Sequence, residues 1–551
     1  MKPGATIVCP LCRDNVDKLL YRYHIEGERQ VIERIKEHNP VWSINDGACS
    51  RCFDYYHAEI VVQQKIVPEI GPYFPVKTAD DFKVIPTPLR MDVDQRYTGK
   101  GITICFIDSG LYPHPDLVAN KNRIKAVIDI TGSTDQPNSN TLQQEQSWHG
   151  TMTTVVCAGD GYLSNGLYKG IASNADIVFL KIQDAEGRIT TDNLARALNW
   201  VLANHNVFGI RIINISAGAD EAVSYKQSEV DRLAESLIKE GITIIAAAGN
   251  DEQALVKPPA NSPNVITIGG IDDDNKLFGE SQQLYHSTYG QTIDGFSKPE
   301  LIAPAIWVAA PILPGTAEQK ESAWLHHLLD LDDTQLLASF KEHIGPTDTG
   351  RAIIDANDPA VIRQFLIGGI QSGKYISEHY MHVDGTSFAA PIITAVIAQL
   401  LEINPQLSPV MIREILFSSA KRIQSLPAER QGFGLLSPRR AVLKALNKNY
   451  TMTTAPSPKI NCAENVIEFY IRHDSANQIA LAGSFNSWSE NQWLLEPLKN
   501  DLWKIEIPML TPGKYLYKFF IDDKHWMEDI HNIYREPDGF NGFNSILLVT
   551  E

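Results

Sequence analysis

A chain of 551 residues has room for two to four domains and a sizeable core. With 43% apolar and 21% charged residues it has the make-up of a folded globular protein rather than a disordered one. A net charge of −17 disfavours nonspecific binding to nucleic acid or to an anionic membrane, and no Lys/Arg cluster offsets it.

Four of the seven cysteines form two Cys-x-x-Cys pairs, and Cys105, Cys157 and Cys462 stand alone. That suits a reducing compartment better than a disulfide framework. No secretory leader precedes the first pair, and the longest apolar run, Ala389 to Leu401, is broken by Thr394 and Gln399. The expectation is a cytoplasmic protein with neither a membrane nor a nucleic-acid partner.

Residues 1–60 carry Cys9-Pro10-Leu11-Cys12 and Cys49-Ser50-Arg51-Cys52. Four thiolates on two short knuckles can close a tetrahedral zinc site. The alternative is two reduced structural pairs or a redox dithiol. Val16 to Glu37 has a helical pattern, with Leu19, Leu20, Tyr23, Val31, Ile32 and Ile35 on one apolar side. The module resembles zinc ribbons, with a longer gap between the pairs, which implies structural Zn2+ on Cys9, Cys12, Cys49 and Cys52. Residues 61–98, with prolines at 68, 72, 75, 86 and 88, form a connector wrapped onto the next domain.

From Gly101 strands and helices alternate. Strands are expected at Ile102–Ile107, Ile177–Ile182, Ile210–Ile215, Ile242–Ala247 and Val265–Ile268, with helices at Asp192–Asn204 and Glu229–Lys239. Such alternation predicts an α/β domain, a parallel sheet with helices on both faces, over residues 99–446. Ligands of such sheets gather at the carboxyl ends of the strands. There stand Asp108, at the end of the first strand, and Asn250, after another. His149 begins a helix in Ser147-Trp148-His149-Gly150-Thr151-Met152. Ser387 opens one in Asp384-Gly385-Thr386-Ser387-Phe388-Ala389-Ala390-Pro391. A serine there can cap the helix, sit in polar loop or act as a nucleophile beside oriented N–H groups. Pro391 is expected in the first turn, where its missing N–H costs nothing.

Asp108-Ser109-Gly110, His149-Gly150-Thr151, Ala248-Gly249-Asn250, Lys298 to Pro304 and Gly385 to Pro391 together resemble the subtilisin-type serine proteases across roughly residues 90 to 445. Met152 and Phe388 depart from the family's usual histidine and methionine. The resemblance implies a serine endopeptidase acting on a protein or peptide substrate, with Ser387 as nucleophile, His149 as base and Asp108 orienting it. Asn250 and the Ser387 N–H would make the oxyanion hole. Ser216-Ala217-Gly218 would pair with substrate backbone and line the first specificity pocket. Their small side chains leave two readings open, a roomy apolar pocket or tight packing. No Gly-x-Ser-x-Gly elbow surrounds Ser387, which disfavours an esterase or lipase. The rival from another class is a latent or inactive protease fold serving as a regulatory protein- or glycan-binding scaffold.

An insertion at 312–380 includes a Leu-rich helical stretch, Ser322–His343, whose histidines (His326, His327, His343) read as solvated. It is either a peripheral decoration or a lid over the active site. Many subtilases bind Ca2+, but Asp272-Asp273-Asp274 reads as a solvated turn and no calcium site is located.

Residues 447–463 form a linker, and 464–551 show strands at Val466–Ile471, Ile479–Ala482, Leu502–Ile507, Tyr515–Ile521 and Ile546–Val549, predicting a small antiparallel β-sandwich. Ala482 to Trp488 and Gly513 to Phe519 resemble the glycogen-binding module of AMP-activated kinase β subunits. By that resemblance Trp488, Lys518, Trp526 and Asn544 would contact sugar, tryptophan rings stacking on pyranose C–H faces. The alternative is that both tryptophans pack inside and the module binds protein or only stabilises.

Overall fold

Thr103–Asp108 lies at the centre of the main sheet because both of its faces are apolar: Ile104 and Phe106 enter one core, Cys105 and Ile107 the other. The computed structural model describes residues 7–16, 29–49, 52–53, 55–56, 84–132, 147–276, 282–343, 358–446, 457–473, 475–499 and 501–550. Across the sheet the strands run Ala420–Lys421, Leu435–Leu436, Leu301–Pro304, Ile266–Asp272, Thr243–Ala247, Ile210–Ile215, Thr103–Asp108, Asp176–Lys181 and Ile124–Asp129. All neighbours are parallel except the first pair, and Gln283–Leu284 adds an antiparallel strand beside Ile266–Asp272. The chain lays strands to one side of Thr103–Asp108, then crosses to Ile210–Ile215 on the other. The strand order therefore reverses between these two, and a crevice opens at their carboxyl ends.

Helices Thr191–Phe208 and Glu229–Lys239 cover one face. Trp148–Ala158 and Thr386–Ile403 cover the other. The Thr386–Ile403 helix is long and apolar enough to cross a membrane by length and composition, yet 83% of it is buried inside the fold. Pro391 lies in its second turn, not the first as expected. The Ser387 carbonyl thus loses its usual N–H partner. Ser216 Oγ donates to that oxygen at 3.0 Å instead.

The insertion is anchored by strand Val308–Pro311 pairing with Tyr380–Val383, and helices Ala317–Leu329, Asp333–His343 and Pro359–Gly373 build a separate small core. The expected Ser322–His343 helix is therefore two, broken at residues 330–332. His326 is half-buried, its Nδ1 donating to the Ser322 carbonyl at 2.8 Å, whereas His327 is exposed as expected. Asp273 is not a solvated turn residue: it is buried and ion-paired with the Arg90 guanidinium.

In the N-terminal module Val16 pairs as a strand with Ile7, and the helix spans Arg29–His38; Leu19, Leu20 and Tyr23 lie outside the described residues, as do connector residues 61–83. The C-terminal sandwich packs a four-stranded sheet on a five-stranded one around Phe469, Leu481, Trp503, Tyr517 and Phe519. Its first strand, Lys459–Asn461, lies inside the stretch read as linker. The sandwich is held on the sheet's edge by Arg472 on Glu414 at 3.0 Å and by Arg422 on Glu528. The Arg535 guanidinium lies 4.4 Å from the Phe433 ring centre and 4.5 Å from that of Phe543.

Candidate active site

Asp108 is the last residue of the central strand and is buried. Its Oδ1 accepts from His149 Nδ1 at 2.7 Å and from the Ser109 N–H at 2.6 Å, and its Oδ2 accepts from Thr153 Oγ1 at 3.0 Å. Three donors fix the carboxylate, and its nearer oxygen fixes which imidazole nitrogen carries the proton. Thr153 lies one helical turn beyond His149, so the same helix supplies both groups. Burial works to depress the His149 pKa, but the charge of Asp108 and its hydrogen bond outweigh it and raise the pKa above the ordinary 6.5.

The helix carrying His149 approaches the strand end this closely because residue 150 is glycine. A Cβ there would stand 2.3 Å from the Gly110 carbonyl oxygen and 2.7 Å from the Phe179 ring. The exposed Trp148 ring stands edge-on to the imidazole at 5.3 Å. Phe388, the residue after Ser387, has its ring centre 5.8 Å from that of the imidazole.

Gly385 has φ +138°, a conformation that favours glycine, and the turn it makes faces Thr386 towards Asn250. Asn250 Oδ1 accepts from both the Thr386 N–H and Thr386 Oγ1, each at 2.9 Å. A backbone N–H can only donate, so the amide oxygen must face Thr386, leaving Nδ2 as a donor directed elsewhere. Thr386 Oγ1 also accepts from the Gly249 N–H at 3.2 Å.

Ser216 Oγ, besides reaching the Ser387 carbonyl, accepts from Asn214 Nδ2 at 3.1 Å, and Asn214 Oδ1 accepts from Thr394 Oγ1 at 2.9 Å. This buried polar chain ties the segment after strand Ile210–Ile215 to the helix bearing Ser387. Gly218 is exposed, and a Cβ there would make ordinary contact with Lys257 Cβ at 3.8 Å and the Pro258 carbonyl oxygen at 3.9 Å. Ala217 is half-buried. Contacts thus join Asp108 to His149, His149 to Phe388, Ser387 to Ser216, and Thr386 to Asn250. Sequence reading assigned no role to Thr153, Thr386, Asn214 or Thr394. The spacing of Thr153 from His149 and the place of Thr386 beside Ser387 were signals for two of them.

The motif Lys298 to Pro304 proves structural: buried Lys298 Nζ meets Glu300 Oε1 at 2.7 Å and the Val265 carbonyl at 2.8 Å. Glu300 Oε2 accepts from the Thr267 N–H at 2.9 Å, clamping adjacent strands.

At the N-terminal module, the Sγ atoms of Cys9, Cys12, Cys49 and Cys52 are all buried and within 4.8 Å of one another. Cys9–Cys52 and Cys12–Cys49 are each separated by 3.9 Å, too long for a disulfide, and all four are free thiols. Zinc–sulfur bonds of about 2.3 Å in tetrahedral geometry require sulfurs roughly 3.8 Å apart, so the donor set fits zinc. Arg96 Nη1 donates to Cys52 Sγ at 3.1 Å while the guanidinium pairs with Asp94 and lies 5.1 Å from the Tyr55 ring centre. The Asp94 and Tyr97 carbonyls accept from Gln399 Nε2 at 2.9 and 2.6 Å. The module therefore rests on the helix that carries Ser387.

On the sandwich, Trp488, Lys518, Trp526 and Asn544 line one cleft. The two indole rings stand 6.0 Å apart at 73°, and Trp526 is 42% exposed, so neither is a core residue. Trp488 has φ +60°, an uncommon conformation for a bulky residue and one that clusters at ligand sites. Lys518 is paired with Asp538. The fully exposed Phe540, which the sequence reading passed over, also lines the cleft.

Residues 99–434 match the Subtilase family. Residues 467–551 match the glycogen recognition site of AMP-activated protein kinase. The serine protease AprX of Bacillus subtilis is 25% identical over 358 residues, 63% of this chain and 67% of AprX. A cuticle-degrading serine protease of Arthrobotrys oligospora is 28% identical over 211 residues, so this chain spans 46% of that protein's length. Fervidolysin from Fervidobacterium pennivorans, a keratinolytic enzyme related to subtilisin, is 18% identical with a TM-score of 0.46, covering 81% of this chain and 57% of fervidolysin. So loose an overlay adds nothing about function.

Proposed function

The chain belongs to the subtilase family, whose match spans more than half of it, and from that premise we propose that it is a serine endopeptidase using Asp108, His149 and Ser387. Ser387 Oγ attacks the scissile carbonyl carbon while His149 Nε2 takes the hydroxyl proton, later returning it to the leaving amine. Asp108 holds the imidazole in the tautomer with Nδ1 protonated and stabilises the imidazolium. The developing oxyanion receives hydrogen bonds from Asn250 Nδ2 and the Ser387 N–H. The observation that carries this reading is the 2.7 Å bond between His149 and Asp108 at the crevice where the strand order reverses.

Fluorophosphonate labelling tests it: wild type is labelled and Ser387→Ala is not. Labelling that persists in Ser387→Ala refutes Ser387 as the nucleophile. Its absence in both proteins returns the reading to a silent scaffold.

Three further assignments belong to this reading. The four cysteines hold a structural zinc, which closes the N-terminal module and takes no part in peptide hydrolysis. A set of four buried free thiols suits a cytoplasmic setting. The sandwich binds an α-glucan through Trp488 and Trp526, supported by the family match and by ring exposure, and so places the protease according to glycan.

A further inference from the structure

The sugar-facing surface of the sandwich opens onto a cleft shared with the parallel-sheet body. Trp488, Trp526 and Asn544 share a cleft of about 1520 Å³ with Phe417, Lys421 and Arg440 of the parallel-sheet body. That is larger than the 300–1,000 Å³ usual for small-molecule pockets and has room for an oligosaccharide. The half-buried Arg472–Glu414 and Arg422–Glu528 pairs join the two bodies.

The charges of the cleft are unequal. Of its carboxylates, Glu528 is paired with Arg422, Asp538 is paired with Lys518, and Asp522 accepts from the Asn477 and Gln478 N–H groups at 2.7 and 2.8 Å. The exposed side chains of Lys421 and Arg440, both on the wall opposite the tryptophans, have no carboxylate partner among the described residues. In a chain of net charge −17 a wall of uncompensated cations is a local reversal of sign.

We propose that this cleft is one two-walled site for an anionic α-glucan, a chain bearing phosphate esters. The sandwich stacks the sugar rings, and Lys421 and Arg440 of the protease body bind the phosphate. The inference rests on the α-glucan reading of the sandwich, and it adds that the protease body supplies half of the site and its charge selectivity. Both cations are exposed, so each contributes the modest energy of a solvent-accessible ion pair, screened by salt.

The test is titration calorimetry on the full chain with phosphorylated maltodextrins and with the same sample after phosphatase treatment. Wild type is expected to bind the phosphorylated sample roughly three- to tenfold tighter, with a preference that shrinks as salt is added. Lys421→Ala/Arg440→Ala is expected to bind both samples with the wild-type affinity for the dephosphorylated one. Trp526→Ala is expected to lose both. Equal binding of the two samples by wild type, or a phosphate preference that survives in Lys421→Ala/Arg440→Ala, overturns the two-walled site and leaves the sugar reading standing. Failure of wild type to bind either sample overturns both.

Discussion

Replacing Thr386 by valine removes one hydroxyl from a buried site while keeping shape, and the structure assigns that hydroxyl a definite task. It supplies one of the two hydrogen bonds that orient the Asn250 amide, the other coming from the Thr386 N–H, and both are 2.9 Å long. It also satisfies the Gly249 N–H at 3.2 Å. A net hydrogen bond contributes about 1 kcal/mol, and a donor left without its acceptor adds about as much again. Loss of the bond to Asn250 in Thr386→Val is therefore expected to lower kcat by about 5-fold, since each 1.36 kcal/mol is a factor of ten, while the orphaned Gly249 N–H lowers stability instead. KM should change little, because in the proposed mechanism the amide acts on an oxyanion that exists only at the transition state. Asn250→Ala, which removes the donor itself, should cost about 10²–10³-fold. The decisive assay is a double-mutant cycle on a peptide substrate. If Thr386 acts through Asn250, then Asn250→Ala/Thr386→Val is no slower than Asn250→Ala alone. Additive losses would refute the argument and return Thr386 to a purely structural role.

In the proposed mechanism activity requires neutral His149, whose pKa the adjacent carboxylate raises, so the acid limb of kcat/KM should have its midpoint above pH 6.5. In Asp108→Asn burial acts alone, and the residual activity should show that midpoint below 6.5; an unmoved limb contradicts the assignment. Gly150→Ala forces a Cβ to within 2.3 Å of the Gly110 carbonyl oxygen, and should abolish fluorophosphonate labelling or folding altogether. Full labelling of that variant would contradict the packing of helix on strand. Metal analysis should find one zinc per chain, lost in Cys9→Ser/Cys52→Ser, with a lower melting temperature because the module is tied through Arg96 to the helix of Ser387. Burial raises the Asp231 pKa to about 7, with Ser228 and Lys298 opposing only in part. The folded chain then holds a proton that the unfolded chain releases, so stability declines as pH rises from about 4 to 7. Asp231→Asn should flatten that decline, gaining about 2–4 kcal/mol at neutral pH, as read from urea unfolding at several pH values.

Fold class was legible because a strand buried on both faces must be written as an unbroken apolar run. Ile102–Ile107, apolar or β-branched throughout, is such a run, and the structure has a strand at Thr103–Asp108; Ile210–Ile215 is also a strand although Arg211 and Asn214 interrupt its apolar residues. Helix Glu229–Lys239 was equally plain, with Ser228 capping it by accepting from the Asp231 N–H at 3.1 Å. Short-range patterning erred where a local signal had a long-range answer. Asp273 looked solvated until Arg90, far away in sequence, arrived to neutralise it. Pro391 was expected to need no help, and its helix needed Ser216.

Residue types and order along the chain were sufficient to point to the alternating architecture and the four-cysteine set, and to propose Asp108, His149, Asn250 and Ser387 as candidates, because each lies in a local motif whose backbone geometry its own neighbours impose. Distance, orientation and sharing belong to the tertiary structure. Only there does Thr386 turn the Asn250 amide and Arg96 link the cysteine set to the serine helix. Only there, too, do Lys421 and Arg440 come to face Trp488 and Trp526. The reason is physical: hydrogen bonds and charges act over a few ångströms of space, and folding alone brings together groups that stand a hundred or more residues apart in the chain.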